Sequence, residues 1–356
     1  MFQKQIPWDK KTIQKIRNGF FTARYFLRTR DILVSQKNSS YVIMQVFQKN
    51  DNAILCGIDE VVSLFTIGCG IYKKKRWQNL RKLVEFRSLK DGDSISANEP
   101  VLHITGPYYA FAHLESLYLG ILARRTLVAT NARRIVKAAA QKPVYFFADR
   151  FDHFLNQEGD GYTAHIGGVT GVCTDAHAAW WKGTPIGTMP HSLISLCQGN
   201  TVQAATLFIQ QYPTIPLIVL VDFHNDCVHT AVQVARIFGK KLWGVRLDTS
   251  ESIVDISLKN EKGKNFGVCP KLVLAVRHAL DKEGYHFVRI IVSGGFTEQK
   301  IIQFEKDHVP VDGYGVGSAM LKGNFDFTAD IVKINGKEIA KVGRKFHENT
   351  RMREQI

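Results

Sequence analysis

The stretch VRIIVSGGFTEQKIIQFEKDHVPVDGYGVGS, residues 288–318, decides the fold of this chain of 356 residues. An apolar run ends in Ser-Gly-Gly, an amphipathic segment follows, and a second apolar run ends in Gly-Val-Gly-Ser. This order predicts a strand, a helix and a second strand, and strands joined by a helical crossover run parallel. Each strand therefore carries a glycine turn at its carboxyl end.

The same rhythm extends back to about residue 142. Strands are predicted at 144–150, 184–189, 215–222, 241–248, 288–295 and 311–318, with helices at 172–182, 191–211, 226–239, 270–284 and 297–307. Polar or glycine residues end nearly every strand. This favours a barrel with one functional rim over an open sheet, in which function concentrates at one or two strand ends. We predict an α/β fold with an irregular, TIM-like α/β barrel over residues 129–323.

The two ends of the chain follow another pattern. Residues 41–100 alternate apolar and polar positions, residues 109–140 are helical with a break near Thr130–Asn131, and residues 330–343 read as a hairpin with an Asn335–Gly336 turn. We expect residues 1–128 and 324–356 to form one mixed α/β sandwich domain, in which the C-terminal tail packs back on the N-terminal part.

The formal net charge of +15 is unevenly distributed: +12 over residues 1–90, −1 over 91–330 and +4 over 331–356. The N-terminal part is basic and contains aromatic residues, as in KKKRW at 73–77. This composition also allows a protein of a different class, an RNA-binding protein on a barrel scaffold. No RNP, KH or helix-turn-helix motif accompanies it, so no nucleic-acid partner is expected.

Other features bear on the compartment. The N-terminal MFQKQIPWDKK lacks the apolar run of a signal peptide, and the run IPLIVLV at 215–221 is too short to span a bilayer. The six cysteines are scattered without a CxxC pair, and no HxH or HExxH spacing occurs, which argues against a disulfide framework or a dedicated metal site. We expect a cytoplasmic protein with no membrane partner.

Two motifs are typical of phosphate and sugar binding. The glycines of SGGF (293–296) and YGVGS (314–318) let backbone N–H groups approach a phosphate, although tight turns alone would also explain them. In RLDTS (246–250), Arg246 can hold a phosphate and Asp248 can accept from vicinal hydroxyls, or the two can form a structural pair.

Two further motifs offer catalytic and aromatic groups. In GTMPHSL (187–193), His191 follows a predicted strand and can act as a base, a phosphoryl acceptor, a metal ligand or a structural residue. In FADRFDHF (147–154), Phe147 and Arg150 can present a ring face and a guanidinium to a planar anion, or be a core and a surface residue.

Taken in order, these strings resemble the nicotinate phosphoribosyltransferases, a branch of the type II phosphoribosyltransferases. The likeness also includes NEPVLHITGPY (98–108), HLESLYLGILARRTLVATNARRI (113–135) and HIGGVTG (165–171). It implies the barrel and sandwich domain described above, and a head-to-tail homodimer with active sites at the interface. The implied activity joins nicotinate to phosphoribosyl pyrophosphate, giving nicotinate mononucleotide and pyrophosphate for NAD biosynthesis. ATP would assist through a phosphohistidine, and Mg²⁺ would accompany the diphosphate.

The resemblance also assigns roles to residues of this sequence. It implies that His191 is phosphorylated by ATP, that Asp222 lies at the centre of the barrel, and that Asp248 binds the ribose hydroxyls; these three are the expected catalytic residues. For the pyridine ring it implies Phe147 and Arg150, Tyr25 from the neighbouring subunit, and Cys173 or Thr174. The phosphoribosyl group would bind to Arg246 and to a phosphate cup of Ser293, Gly294, Gly295, Gly315, Gly317 and Ser318.

Nicotinamide and quinolinate are the alternative substrates. The nicotinamide enzymes place a carboxylate in the region of GVTGVCTD (168–175), where this chain has Cys173 and Thr174, with Asp175 one step further. Quinolinate needs a second cationic group, and the sequence offers no cluster beyond Arg150. The sequence therefore favours nicotinate.

Overall fold

The structure, a computed structural model, describes residues 7–187 and 189–355. Its strands are β1 (Tyr41–Gln48), β2 (Ala53–Ile54), β3 (Gly70–Lys73), β4 (Arg76–Asn79), β5 (Glu85–Ser88), β6 (Ser94–Ile95), β7 (Leu102–Pro107), β8 (Val144–Phe146), β9 (Gly171–Val172), β10 (Leu217–Leu220), β11 (Leu242–Leu247), β12 (Arg289–Val292), β13 (Gly313–Val316), β14 (Phe327–Ile334), β15 (Lys337–Glu338) and β16 (Arg353–Glu354). Its α-helices are α1 (Lys10–Arg17), α2 (Arg24–Ser35), α3 (Ile58–Gly68), α4 (Glu115–Ala138), α5 (Gln157–Gly167), α6 (Asp175–Ala179), α7 (His191–Leu196), α8 (Thr201–Gln211), α9 (Cys227–Phe238), α10 (Pro270–Lys282) and α11 (Glu298–Lys306).

The chain divides into two compact units. The first comprises Met1–Thr130 and Gly323–Ile356, and the second Asn131–Lys322. The boundaries predicted from sequence lie within two residues of these. The first boundary falls inside α4, which is continuous, so the predicted helix break near Thr130–Asn131 is wrong. These poor helix formers are tolerated because their side chains satisfy other backbone groups: Thr130 Oγ1 accepts from Ile54 N at 2.9 Å, and Asn131 Nδ2 donates to Lys322 O at 2.9 Å.

The second unit contains a six-stranded, wholly parallel sheet in the order β10-β11-β12-β13-β8-β9. The last strand of the unit, β13, pairs with the first, β8, so the sheet curls back on itself as a barrel does. A single parallel bridge, Val172–Pro185, continues it beyond β9, and this bridge replaces the strand predicted at 184–189. The described residues record no pairing from Pro185 on to β10. The parallel α/β half-barrel confirms the predicted fold class.

One predicted helix of this unit, 191–211, is instead the pair α7 and α8. Gln198 and Gly199 both have positive φ, at 55° and 81°, which ends the first helix. Asn200 then caps the second, since its side chain accepts from Gln203 N at 2.9 Å.

The first unit is built on an antiparallel sheet in the order β15-β14-β1-β7-β5-β16. Strands β14 to β16 come from the C-terminal tail, and they pair with β1 on one side and β5 on the other. The hairpin turn at Asn335–Gly336 joins β14 to β15, with Ile334 opposite Lys337. The prediction that the tail packs on the N-terminal part is confirmed.

The core of this unit is aromatic. The ring of Phe65 lies 4.4 Å from Phe86, 6.0 Å from Phe111 and 5.8 Å from Tyr118, and all four side chains are almost fully buried. Burial of each such side chain contributes about 1.5–3 kcal/mol, so this cluster is a main source of the unit's stability. Among the described residues, no helix has both the length and the apolar character needed to cross a bilayer.

Candidate active site

The carboxyl ends of the parallel strands bring the candidate residues of the second unit to one rim. Carboxyl ends of neighbouring parallel strands lie at the same edge, so side chains distant in sequence become neighbours. Around this rim stand Asp222 after β10, Arg246 and Asp248 at the end of β11, Ser293 after β12, Gly317 after β13, Phe147 after β8 and Cys173 after β9.

Arg246, Asp248 and Ser293 form a closed hydrogen-bonded network on two adjacent strands. Arg246 Nε donates to Ser293 Oγ at 2.7 Å, Ser293 Oγ donates to Asp248 Oδ1 at 2.7 Å, and Arg246 Nη2 lies 3.3 Å from Asp248 Oδ2. The first two residues lie two apart on β11 and its extension, so both side chains project to the same face. The carboxylate keeps further acceptor capacity, because each oxygen has two lone pairs.

Glycines lie at the carboxyl ends of β12 and β13. Gly294 and Gly295 follow β12 with φ of 82° and 66°, a backbone conformation that favours glycine. A Cβ on Gly315 would lie 2.6 Å from the ring of Phe147 and 3.2 Å from Cβ of Ser293, so only glycine permits this packing. The other two predicted cup residues, Gly317 and Ser318, come directly after β13.

His191 and Asp222 form a second pair at the rim. Nε2 of His191, at the start of α7, lies 2.9 Å from Oδ2 of Asp222. The hydrogen bond that His191 donates to Asp222 raises the pKa of His191, and the charge of Asp248 adds to the effect while burial and Arg246 oppose it. The His191 side chain is 41% exposed, whereas that of Asp222 is 8% exposed, and Asp222 Oδ1 is buried without a hydrogen-bond partner among the described residues.

Phe147 and Arg150 of FADRFDHF have different neighbours in the structure. The half-buried Phe147 ring stacks on Tyr145 with centroids 6.1 Å apart, and the Arg246 guanidinium lies 4.9 Å from its centroid. Arg150 is exposed, with its guanidinium 5.9 Å from the ring of Phe151. The cation against the Phe147 ring is therefore Arg246.

Cys173 and Thr174 take different positions. Cys173 Sγ lies 3.4 Å from Asp149 Oδ1 and 3.7 Å from His177 Nδ1, and burial raises its pKa to about 12, so the thiol stays neutral. Thr174 caps α6: its hydroxyl accepts from His177 N at 3.0 Å and donates to Gln157 Oε1 at 3.0 Å. The Thr174 hydroxyl is therefore fixed by hydrogen bonds to one residue of α5 and one residue of α6.

Tyr25 belongs to the first unit. It lies in the first turn of α2 and is 63% exposed, with its ring 4.4 Å from that of Phe26. Its role toward the ring bound by a neighbouring subunit stays a prediction.

Two carboxylates near the site were not singled out from sequence. Asp149 follows β8 and faces Cys173. The feature of the sequence that could have identified it is its place in FADRFDHF, between Phe147 and Arg150. Asp255 is fully buried and accepts from Cys227 N at 3.0 Å and from Ser257 N at 3.0 Å, which anchors the loop that follows Asp248. The feature of the sequence that could have identified Asp255 is the Asp-x-Ser spacing, which is typical of an Asx turn.

Comparison with known families and structures adds independent findings. Residues 24–126 match the family model described as the quinolinate phosphoribosyl transferase N-terminal domain. A crystal structure of nicotinate-nucleotide pyrophosphorylase from Pyrococcus furiosus is similar to this chain at 33% identity, covering 96% of this chain and 82% of that one, with a TM-score of 0.79. A crystal structure of human nicotinic acid phosphoribosyltransferase shares the fold, with a TM-score of 0.68 at 15% identity over 89% of this chain and 75% of that one.

Curated relatives are similar over a shorter stretch. A nicotinate phosphoribosyltransferase of Mycobacterium tuberculosis (strain H37Rv) is 28% identical over 237 residues, which is 65% of this chain and 47% of the relative. The chain thus spans about half the length of the curated relatives that it matches.

Proposed function

The chain belongs to the type II phosphoribosyltransferase family, and from that premise we propose that it is a nicotinate phosphoribosyltransferase of NAD biosynthesis. It would join nicotinate to phosphoribosyl pyrophosphate, releasing nicotinate mononucleotide and pyrophosphate. The observation that carries the proposal is the Arg246–Asp248–Ser293 network beside two glycine turns at one rim.

In this proposal the network binds the phosphoribosyl group. The ribose hydroxyls donate to Asp248, whose orientation is fixed by Ser293 and Arg246, and a phosphate accepts from the backbone N–H groups of the turns after β12 and β13. The pyridine ring lies near Phe147, whose ring contacts the Arg246 guanidinium and stacks on Tyr145. Positioning of the two reactants is the main contribution of such a site.

The transfer itself needs little acid–base chemistry. The bond between C1 of the ribose and the pyrophosphate oxygen breaks, and its electron pair leaves with pyrophosphate. The lone pair of the pyridine nitrogen then forms the new bond to C1. Because the transition state is like an oxocarbenium ion, fixed charges such as the carboxylates of Asp222 and Asp248 stabilise it electrostatically.

Mg²⁺ is the metal that the family implies. The described residues hold no group of three or more His, Cys, Asp or Glu side chains that could hold a metal, but Mg²⁺ usually takes one or two carboxylates together with substrate phosphates. The buried, unpartnered Oδ1 of Asp222 fits that requirement, and Asp222 would hold the ion with the diphosphate oxygens. When bound, Mg²⁺ would neutralise charge on the leaving pyrophosphate.

ATP would act through His191. Because Nε2 of His191 is engaged by Asp222, its other ring nitrogen, Nδ1, carries the free lone pair. This nitrogen would attack the terminal phosphorus of ATP with ADP as leaving group, and Asp222 would stabilise the positive charge on the ring.

The variant His191→Ala tests this role. We expect it to abolish the stimulation by ATP and to leave slow basal transfer, since the residues that bind the phosphoribosyl group are unchanged. The measurement is the rate of nicotinate mononucleotide formation with and without ATP. ATP stimulation that survives in this variant would exclude the phosphohistidine.

Quinolinate is the second candidate substrate, because residues 24–126 match a domain model of quinolinate phosphoribosyl transferase. Quinolinate has two carboxylates, and beside the Phe147 ring the described residues supply the cation of Arg246. An assay with phosphoribosyl pyrophosphate and each of nicotinate, nicotinamide and quinolinate, with and without ATP, separates the candidates. Product from nicotinate supports the proposal, and product from nicotinamide or quinolinate alone overturns it.

We further propose a homodimer in which Tyr25 of one subunit reaches the ring bound by the other. The support is the exposure of Tyr25 at the start of α2 and the family resemblance. Its test is a complementation experiment, described in the Discussion.

A further inference from the structure

A glutamate of the loop after β11 lies on the glycine turn after β12. A Cβ built on Gly295 would stand 2.1 Å from Oε1 and 2.6 Å from Oε2 of Glu251, so this carboxylate occupies the space next to the turn that a side chain would fill. The Glu251 side chain is itself 66% exposed. A carboxylate thus sits at the turn where the proposed function places a phosphate.

The cation that faces Glu251 is Lys300. Its Nζ lies 3.9 Å from Glu251 Oε1 and 4.4 Å from the centroid of the Phe296 ring, and its side chain is only 23% exposed. Burial lowers the pKa of Lys300, and Glu251 opposes that shift. This lysine is therefore kept partly desolvated and depends on a neighbouring anion.

The place of Lys300 in the fold makes this dependence stronger. It is the third residue of α11, which Thr297 caps by accepting from Lys300 N at 3.3 Å. The amino end of a helix carries a partial positive charge and disfavours cations. A half-buried lysine at such an end is stabilised when an anion lies between it and the turn, and Glu251 supplies one.

We propose that Lys300 is a ligand of the substrate's 5′-phosphate and that Glu251 is the anion that takes the phosphate's place while the site is empty. The inference rests on the proposed function and deepens it. A phosphate monoester carries up to two charges and three acceptor oxygens, so it can bond to the turn and to Lys300 together, whereas the carboxylate offers one charge. Glu251 therefore competes with substrate and leaves when the phosphate binds.

The exchange costs little because the Glu251–Lys300 pair is long and open to water on the Glu251 side; such pairs contribute little to stability. The remainder of the loop need not move, because Asp255 holds it to the start of α9 through Cys227 N. Movement is confined to the few residues between Asp248 and that anchor.

Direct binding to the purified protein tests the inference without needing catalysis. The probes are ribose 5-phosphate, which carries only the 5′-phosphate, and inorganic pyrophosphate, each titrated by calorimetry. We expect Glu251→Gln to tighten ribose 5-phosphate binding by about two- to fivefold, the range of an exposed charge pair. We expect Lys300→Met to weaken it by about tenfold, the range of a charge-assisted hydrogen bond, and Lys300→Arg to retain most of it. Pyrophosphate binding should change little in all three.

A second glutamate–lysine pair nearby provides matched controls. Glu261 Oε2 lies 3.5 Å from Lys271 Nζ, and both side chains are exposed. Glu261→Gln and Lys271→Met remove the same charges from the same region, so they should leave ribose 5-phosphate binding unchanged. In activity assays, the Glu251 and Lys300 variants should change KM for phosphoribosyl pyrophosphate, with KM for nicotinate unaffected.

Three outcomes overturn the inference. Unchanged ribose 5-phosphate binding in Lys300→Met removes the lysine as a ligand. Weaker binding in Glu251→Gln shows that the glutamate supports the ligand and does not compete with it. Altered binding of pyrophosphate alone would show that Glu251 and Lys300 contact the pyrophosphate end of the substrate and not its 5′-phosphate. Failure of the proposed function gives a different result, because the unaltered protein then makes no nicotinate mononucleotide, whatever ribose 5-phosphate binding the calorimetry shows.

Discussion

At the scale of single residues, one hydrogen bond sets both the tautomer and the pKa of His191. Asp222 engages Nε2 at 2.9 Å, and this bond raises the pKa of the ring above its usual 6.5. A group whose pKa is raised in the folded state stabilises the protein fully below the unfolded value and loses that contribution as pH rises through the folded value. The pair therefore contributes to stability below about pH 6.5 and less above it.

The variant Asp222→Asn should lower the pKa of His191, because the asparagine amide is neutral and cannot stabilise the imidazolium charge as the carboxylate does. The measurement is an NMR titration of the histidine ring signals, with His191→Ala used to assign them. An unchanged pKa for His191 would contradict the role given to Asp222.

Asp248 is the second residue whose charge is specific to the proposed reaction. Asp248→Asn removes a charged acceptor worth roughly 1.5–3 kcal/mol, which corresponds to an increase of about ten- to a hundredfold in KM for phosphoribosyl pyrophosphate. KM for nicotinate should change less, since the proposed function places the pyridine ring at Phe147 and not at Asp248. Steady-state kinetics with each substrate varied checks both, and an unchanged KM for phosphoribosyl pyrophosphate refutes the assignment.

At the scale of elements, a glycine decides how two helices of the barrel unit pack. A Cβ on Gly161, in α5, would lie 2.1 Å from the carbonyl oxygen and 2.3 Å from Cα of His177, in α6. These are backbone atoms, so nothing flexible can move aside. The contact holds α6, and with it Cys173 and Thr174 at the rim.

Gly161→Ala should therefore destabilise the protein by about 3 kcal/mol or more, as overpacking against backbone does. Gly120→Ala is the matched control: Gly120 also lies within a helix, α4, and a Cβ there would meet nothing within 4 Å. It should be neutral or stabilise by about 0.4–1 kcal/mol. Thermal unfolding measures both, and equal melting temperatures would show that α5 and α6 do not pack this closely.

At the scale of the whole molecule, both ends of the chain build one unit. The first unit, residues 1–130 and 323–356, consequently carries a net charge of +12, while the barrel unit, residues 131–322, carries +3. In the proposed function this weakly charged unit binds polyphosphates, so it must rely on backbone amides and on few cations; at the rim the structure provides Arg246 and Lys300.

The proposed dimer makes a prediction at this scale. Tyr25→Ala and Asp248→Asn should each reduce activity, the first through the neighbouring site and the second through its own. Mixed dimers then contain one intact site, so refolding the two variants together should restore up to about a quarter of full activity. Mixing Asp248→Asn with Ser293→Ala, both in the barrel unit, is the control and should restore none. Equal recovery in both mixtures would exclude a shared site.

Several features followed from sequence by local rules. Alternating apolar strands and helices predicted the parallel sheet, and the Asn335–Gly336 turn predicted the hairpin, because strand burial and turn geometry depend on neighbours in the chain. Local reasoning failed at Thr130–Asn131, where the side chains bond to backbone groups far along the chain, and it gave no reason to pair Arg246 rather than Arg150 with Phe147.

The sequence by itself determined the class of fold, the order of the strand ends and the residue types that stand on them, since periodicity and glycine placement are properties of short segments. Only the tertiary structure decided which of these groups meet. The contacts of His191 with Asp222, Arg246 with Ser293, and Glu251 with Lys300 span 31, 47 and 49 positions of sequence. No local preference encodes such contacts, because they form only when the pairing of the parallel strands brings their carboxyl ends to one rim.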